Sequence, residues 1–231
     1  MKTVIERYSA IKERMAEAAL RAGREPSGIV LVAAAKTIPA EKVKAAVEAG
    51  VNVLGENYVQ EAKKIKAIID LPVKWHLIGR LQSNKVKQTV NLFDVVETID
   101  RQSLVQQLQH HASQAQKRLD LLIQVNLSGE LTKSGVKPGE VLPLIKMIAG
   151  CENLSCTGLM TLPPFFDDPE RARPYFSELR QLRDRLQPIV PGNVRLQELS
   201  MGMSGDYEVA IEEGATLVRI GTALFGPRGG A

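Results

Sequence analysis

Between Thr3 and Ala22, the apolar residues Val4, Ile5, Tyr8, Ile11, Met15, Ala18 and Ala19 recur mostly at spacings of three and four, with charged residues between them. That spacing predicts an amphipathic helix with one face turned to a core. Gly23 and the Pro26-Ser27-Gly28 break end the pattern, and the period then changes. Ile29 to Ala35 is unbroken apolar sequence, as in a strand buried on both faces, and it stops at Lys36. Thr37-Ile38-Pro39 then opens a charged helix that reaches Glu48.

The alternation continues to the end of the chain. Further strands are expected at Val51–Gly55, Trp75–Gly79, Asp94–Ile99, Asp120–Leu127, Leu154–Leu162, Val194–Ser200 and Thr216–Phe225. Helical patterns separate them at Tyr58–Ile69, Lys85–Val90, Ser103–Lys117, Val141–Ala149, Glu170–Leu186 and Asp206–Glu213. An open, doubly wound sheet would also alternate in this way. Eight strand-helix units with near-continuous apolar strands favour an α/β fold closed into a single (β/α)8 TIM barrel, preceded by an N-terminal helix. No linker is long enough to separate a second domain, so residues 1–231 are read as one unit.

Composition narrows the function. The formal charge of +4 is spread along the chain and not gathered in a basic block, which argues against a nucleic-acid partner. The longest purely apolar run has seven residues, and Glu6 and Arg7 interrupt the N-terminus. Neither a membrane span nor a secretory leader is expected. Two cysteines, Cys151 and Cys156, and three histidines, His76, His110 and His111, give no disulfide framework and no structural zinc site. A reducing cytoplasm fits best.

In either architecture the working edge is the carboxyl end of the strands. Ser200-Met201-Gly202-Met203-Ser204-Gly205 and Val218-Arg219-Ile220-Gly221-Thr222 close the last two strands. Their glycines and hydroxyls have the chemistry of a phosphate cradle, although ordinary turn glycines and an N-cap serine are the plainer alternative. Lys36 ends a strand of small residues, where burial would favour the neutral amine that attacks carbonyls; a lysine extended over the rim into water is the other reading. An amine facing a phosphate cradle suggests a phosphorylated aldehyde, of which pyridoxal phosphate is the common case. Arg219 on an apolar strand needs a partner, either Glu198 or Glu56 as an ion pair, or a ring nitrogen that it would leave unprotonated. His76 and Trp75 are expected in the core, the cysteines as inert thiols, and Asp167-Asp168 as a helix cap. A metal-dependent or phosphosugar-binding barrel would keep the phosphate loops and give Lys36 no covalent role.

Six ordered motifs carry a resemblance: Ala34-Ala35-Lys36-Thr37, Gly55-Glu56-Asn57-Tyr58-Val59-Gln60-Glu61, His76 to Lys85, Gly158-Leu159-Met160-Thr161, Ser200 to Ser204, and Val218 to Thr222. Together, over essentially the whole chain, they resemble the pyridoxal phosphate homeostasis protein family, single-domain relatives of the N-terminal barrel of alanine racemase. The resemblance implies that Lys36 links to pyridoxal phosphate, and that Ser200, Ser204 and the backbone around Met201, Gly221 and Thr222 hold its phosphate. It places Arg219 at the ring nitrogen, Asn57 near the ring hydroxyl and Met160 along the ring. Gly205 and Arg80 stand where the family varies. The implied role is a cytoplasmic, monomeric, non-catalytic carrier that buffers cofactor, delivers it to dependent apoenzymes and affects amino-acid and keto-acid balance. The alternative is an amino-acid racemase; against it, the chain ends at Gly229-Gly230-Ala231, without the extra domain that supplies such enzymes with a tyrosine base. Tyr58 and Tyr207 would be the substitutes.

Overall fold

The computed structural model describes residues 2–130 and 132–227. The terminal Gly229-Gly230-Ala231 lies outside them. Among the described residues, eight parallel strands close into a barrel in sequence order: β1 Val30–Ala34, β2 Val53–Glu56, β3 Lys74–Leu77, β4 Val95–Ile99, β5 Leu119–Val125, β6 Leu154–Thr161, β7 Glu198–Met203 and β8 Leu217–Ile220. Closure comes from β1 against β8, with Val32 beside Arg219 and Ala33 beside Ile220. Around it lie α1 Val4–Arg21, α2 Ala40–Glu48, α3 Val59–Lys66, α4 Val86–Leu92, α5 Gln102–Gln114, α6 Val141–Ala149, α7 Arg173–Leu186, α8 Tyr207–Glu212 and α9 Thr222–Phe225.

A closed parallel barrel buries both faces of every strand, so the period of two sorts side chains between two cores and not between core and water. On β1, Leu31 and Ala33 join the large cluster under the helices, whereas Val32 and Ala34 belong to the interior cluster with Val53, Leu122, Met160 and Leu217. On β7, Leu199 and Met201 face the helices.

The leading helix is started by Thr3, whose Oγ1 accepts from the Glu6 amide at 3.2 Å while Glu6 Oε2 accepts from the Thr3 amide at 2.7 Å. Helix α8 is clamped from two sides. Arg14 and Arg21 of α1 reach Glu208 and Glu212, and Arg173 and Arg180 of α7 reach Glu212 and Glu213 at 2.7 to 3.1 Å. Networked ion pairs of this kind hold geometry better than isolated surface pairs.

Two expected strands move. Val194–Gln197 alternates buried and exposed residues but joins no ladder, and β7 begins at Glu198 and runs on to Met203. The apolar stretch after Ile220 leaves the sheet at Gly221 and turns helical as α9, burying Leu224 and Phe225. A short apolar run has no periodicity that separates strand from helix. The segment expected to start α7 at Glu170 is first a 3-10 turn, Pro169–Ala172, capped by Asp168 Oδ1 accepting from the Glu170 amide at 3.0 Å.

Gly202 is the tightest point between β7 and α8. Its φ is +88°, and a Cβ there would lie 2.5 Å from the Ala210 methyl and 3.0 Å from Tyr207 Cα. Gly202→Ala is therefore expected to lower unfolding free energy by about 2 kcal/mol or more in a urea titration. Gly139→Ala, in open space, is the matched control and should leave the midpoint unchanged.

Candidate functional site

Strand ends and the loops that follow them build a cavity of about 460 Å³ at the carboxyl end of the barrel. Lys36 continues the inward row of Val32 and Ala34, and it lines this cavity half-buried. Directly after it, Thr37 takes φ 61°, a left-handed conformation costly for a β-branched residue. Lys36 Nζ lies 5.5 Å from the centroid of the Tyr58 ring, within reach of a cation–π interaction.

The opposite side of the cavity is made by the turns after β7 and β8. Ser204 Oγ accepts from the amides of Gly221 and Ala223, each at 3.2 Å. The two N–H groups thus fix the serine oxygen in place, and the Ser204 O–H remains as a donor toward an anion in the cavity. Asp206 braces the turn by accepting from the Met203 amide at 2.6 Å, and burial raises its pKa.

Below the cavity lies a buried polar chain. Arg219, 4% exposed, donates from Nη1 to Ser200 Oγ and from Nη2 to the Thr161 carbonyl at 2.9 Å. Ser200 Oγ in turn donates to Glu97 Oε2 at 2.5 Å, and His76 Nδ1 meets Glu97 Oε1 at 2.6 Å. Arg219 Nη1 stands 3.9 Å from Glu97 Oε2. Burial pushes the Glu97 pKa up, but the hydrogen bond and charge of His76, the charge of Arg219 and the Ser200 hydroxyl outweigh it and hold the carboxyl below its ordinary value. An ionised carboxylate only accepts, so His76 Nδ1 and Ser200 Oγ both carry the shared protons. The ion-pair reading of Arg219 named Glu198 or Glu56 as the partner; the carboxylate found near it is Glu97. Glu198 instead accepts from the Thr216 hydroxyl at 2.5 Å.

Of the residues singled out from sequence, Lys36, Asn57, Ser204, Arg219, Gly221 and Thr222 line one cavity. Ser200, Met201 and Met160 do not. Ser200 is fully buried with its hydroxyl committed to Glu97 and Arg219, Met201 points outward under the helices, and Met160 packs inside the barrel. Tyr58 is half exposed, whereas Tyr207 faces α1, with Arg14 over its ring at 5.7 Å. Sequence reasoning missed Glu97, Asp206, Phe165 and Phe166. Glu97 is the one charge inside Val95-Val96-Glu97-Thr98-Ile99, and the expense of burying it was the available signal. Among the described residues no cluster of three or more His, Cys, Asp or Glu could hold a metal, and no helix is long and apolar enough to cross a membrane. Burial pushes the Cys156 thiol up to about 12.

Glu56, next to Asn57, is fully buried with neither carboxyl oxygen hydrogen-bonded. Desolvation, with the charge of Glu61 nearby, lifts its pKa from 4.5 to about 8, and the Asn57 amide offsets only a little. The folded state therefore binds the proton more tightly than the unfolded chain, so Glu56 favours folding below about pH 4.5 and progressively less as pH rises toward 8. Chemical denaturation across that range should show stability falling with pH, and Glu56→Gln should flatten the slope.

The sequence model described as alanine racemase, N-terminal domain, matches residues 7–229. A pyridoxal phosphate homeostasis protein of Aquifex aeolicus is 47% identical over 224 residues, covering 96% of this chain and 97% of that protein. One from Pseudomonas aeruginosa is 41% identical over 229 residues, covering 99% and 97%. Among solved structures, PipY of Synechococcus elongatus with pyridoxal phosphate bound superposes with a TM-score of 0.82 at 36% identity, covering 94% of this chain and all of that one. An alanine racemase of Clostridium difficile is alike in fold alone, with a TM-score of 0.70 at 15% identity, and this chain spans 57% of its length.

Proposed function

The chain belongs to the pyridoxal phosphate homeostasis protein family, and from that premise we propose that it binds pyridoxal 5'-phosphate reversibly through Lys36 and acts as a carrier of the cofactor. The observation that carries the reading is the make-up of one cavity: an amine at one wall, a hydroxyl held in place by two backbone amides at the other, and a fixed cation at the floor. Those three groups match, in chemical type, the aldehyde, the phosphate and the pyridine nitrogen of the cofactor, and a cavity of this size suits a small cofactor.

In this reading Lys36 Nζ forms the covalent link, Ser204 with the Gly221 and Thr222 backbone binds the phosphate, and Asn57 lies beside the ring. Leu162 and Met203 supply apolar contact at the height where Met160 was expected. When bound, the cofactor supplies an electrophilic aldehyde and an electron-withdrawing ring. Arg219 keeps its own proton, so the ring nitrogen stays unprotonated and withdraws electrons weakly. This favours holding the cofactor over using it.

The mouth supports exchange. Phe165 at its edge is 82% exposed and Tyr58 beside Lys36 is 54% exposed, so an incoming amine or a recipient apoenzyme can approach the linkage. We assign the protein to the cytoplasm as a monomer that returns cofactor to dependent apoenzymes. The racemase alternative is not favoured: Tyr207 is turned toward α1, and Tyr58 presents a half-exposed ring to Lys36.

Wild-type protein mixed with pyridoxal phosphate should develop the visible band of a lysine-linked cofactor, and borohydride should fix a pyridoxyl group on Lys36. Lys36→Ala should lose the band; a variant that kept it unchanged would remove the basis of the assignment. Ser204→Ala should keep the band and weaken affinity by about tenfold, measured by titrating absorbance. In heavy water, exchange of the alanine α-proton by the loaded protein should stay far below enzyme-like rates.

A further inference from the structure

The cavity floor holds more machinery than anion and aldehyde capture requires. Glu97 touches no part of the cavity, yet it is fully buried and takes two short hydrogen bonds, from His76 at 2.6 Å and Ser200 at 2.5 Å. Its position on β4 faces β8 across the barrel interior, and Ser200 on β7 bridges the gap to Arg219. The charged and titratable groups around this chain are His76 on β3, Arg219 on β8, Asp206 before α8, whose charge acts on Arg219, and Asp120 on β5, on which the charge of His76 acts.

We infer that Glu97 is a positioning residue for the cofactor: through the oriented hydroxyl of Ser200 it locks Arg219 into a single charged donor geometry, and thereby sets the electronic state in which the ring is held. The inference rests on the assignment of Arg219 to the ring nitrogen. Its physical content is the direction of the hydrogens. Because the Glu97 carboxylate can only accept, the Ser200 proton must point at Glu97, which leaves the Ser200 lone pairs to receive Arg219 Nη1. That bond and the one from Nη2 to the Thr161 carbonyl tie down one edge of the guanidinium. The remaining N–H groups are left for the cavity that Arg219 lines.

An amide in place of the carboxylate breaks this order at one end or the other. If its NH₂ faces Ser200, the serine oxygen must accept from it and the serine proton loses its acceptor. If its NH₂ faces His76, Nδ1 must become an acceptor and the ring must change tautomer. In both cases the Arg219 charge also loses its buried counter-charge.

The test compares wild type with Glu97→Gln, using full-length protein and added pyridoxal phosphate. In ligand-free wild type, nitrogen-15 NMR should show His76 protonated at Nδ1. Glu97→Gln should change either that tautomer or the environment of the Arg219 side-chain N–H signals. With cofactor, the variant should still yield the pyridoxyl group on Lys36, but with a displaced visible band, an altered pH profile of that band and affinity about tenfold weaker. A folded Glu97→Gln whose band, pH profile and affinity all match wild type overturns the inference. Wild type without an adduct on Lys36 would overturn the carrier reading instead, so the two failures are distinct. Should Glu97→Gln not fold, Ser200→Ala removes the bridge and keeps both charges. It should displace the band in the same direction by less, and an unshifted band in that folded variant counts equally against the inference.

Discussion

A guanidinium inside a barrel is the constraint around which this structure is organised. Arg219 stands on the strand that closes the sheet, one step from solvent-free packing, and an unpaired charge there would be prohibitive. The interior answers with a carboxylate on β4, four strands away in either direction around the barrel. A serine hydroxyl spans the gap, and a backbone carbonyl takes the second guanidinium nitrogen. A purely apolar interior of similar volume could stabilise the fold as well or better, since buried ion pairs seldom repay their desolvation. The polar floor is therefore best understood through what it presents upward, a fixed cation under a cavity whose walls carry an amine and a serine hydroxyl held by backbone amides.

The outer shell serves the same geometry. Helix α8 has only six residues, too few to hold its place by helix propensity alone. The arginines of α1 and α7 grip it from both sides, and Gly202 lets it sit against β7 at a distance no side chain would permit. The turn between β7 and α8, with Ser204 and Asp206, inherits that rigidity. The leading helix, which lies outside the eightfold repeat, thus contributes to the cradle from the far side of α8.

The barrel was legible in sequence because its strands are buried on both faces, and runs such as Ile29–Ala35 stand out against amphipathic helices. Lys36, Ser204 and Arg219 were legible because each interrupts an apolar or glycine-rich strand end. Three placements were not. The strand was expected to end at Ser200, which put Ser200 and Met201 at its mouth, but β7 runs on to Met203, and the period of two sends one side chain inward beneath the cavity and the other under the helices. Met160 sits a layer too deep, since residue order along a strand gives the face and not the height relative to neighbouring strands, which the register shifts around β5 to β8 determine. Glu97 escaped because its role exists only across the barrel, with partners 21 and 103 residues away in sequence.

The proposed function requires one cavity to hold pyridoxal phosphate between Lys36 and the turns after β7 and β8. A crystal structure of the protein grown with the cofactor tests it most directly. Continuous density is expected from Lys36 Nζ to the ring, with the phosphate against Ser204, Gly221 and Thr222 and the ring nitrogen facing Arg219. Cofactor density elsewhere on the barrel, or in this cavity in the reverse orientation with phosphate on Lys36, would contradict it.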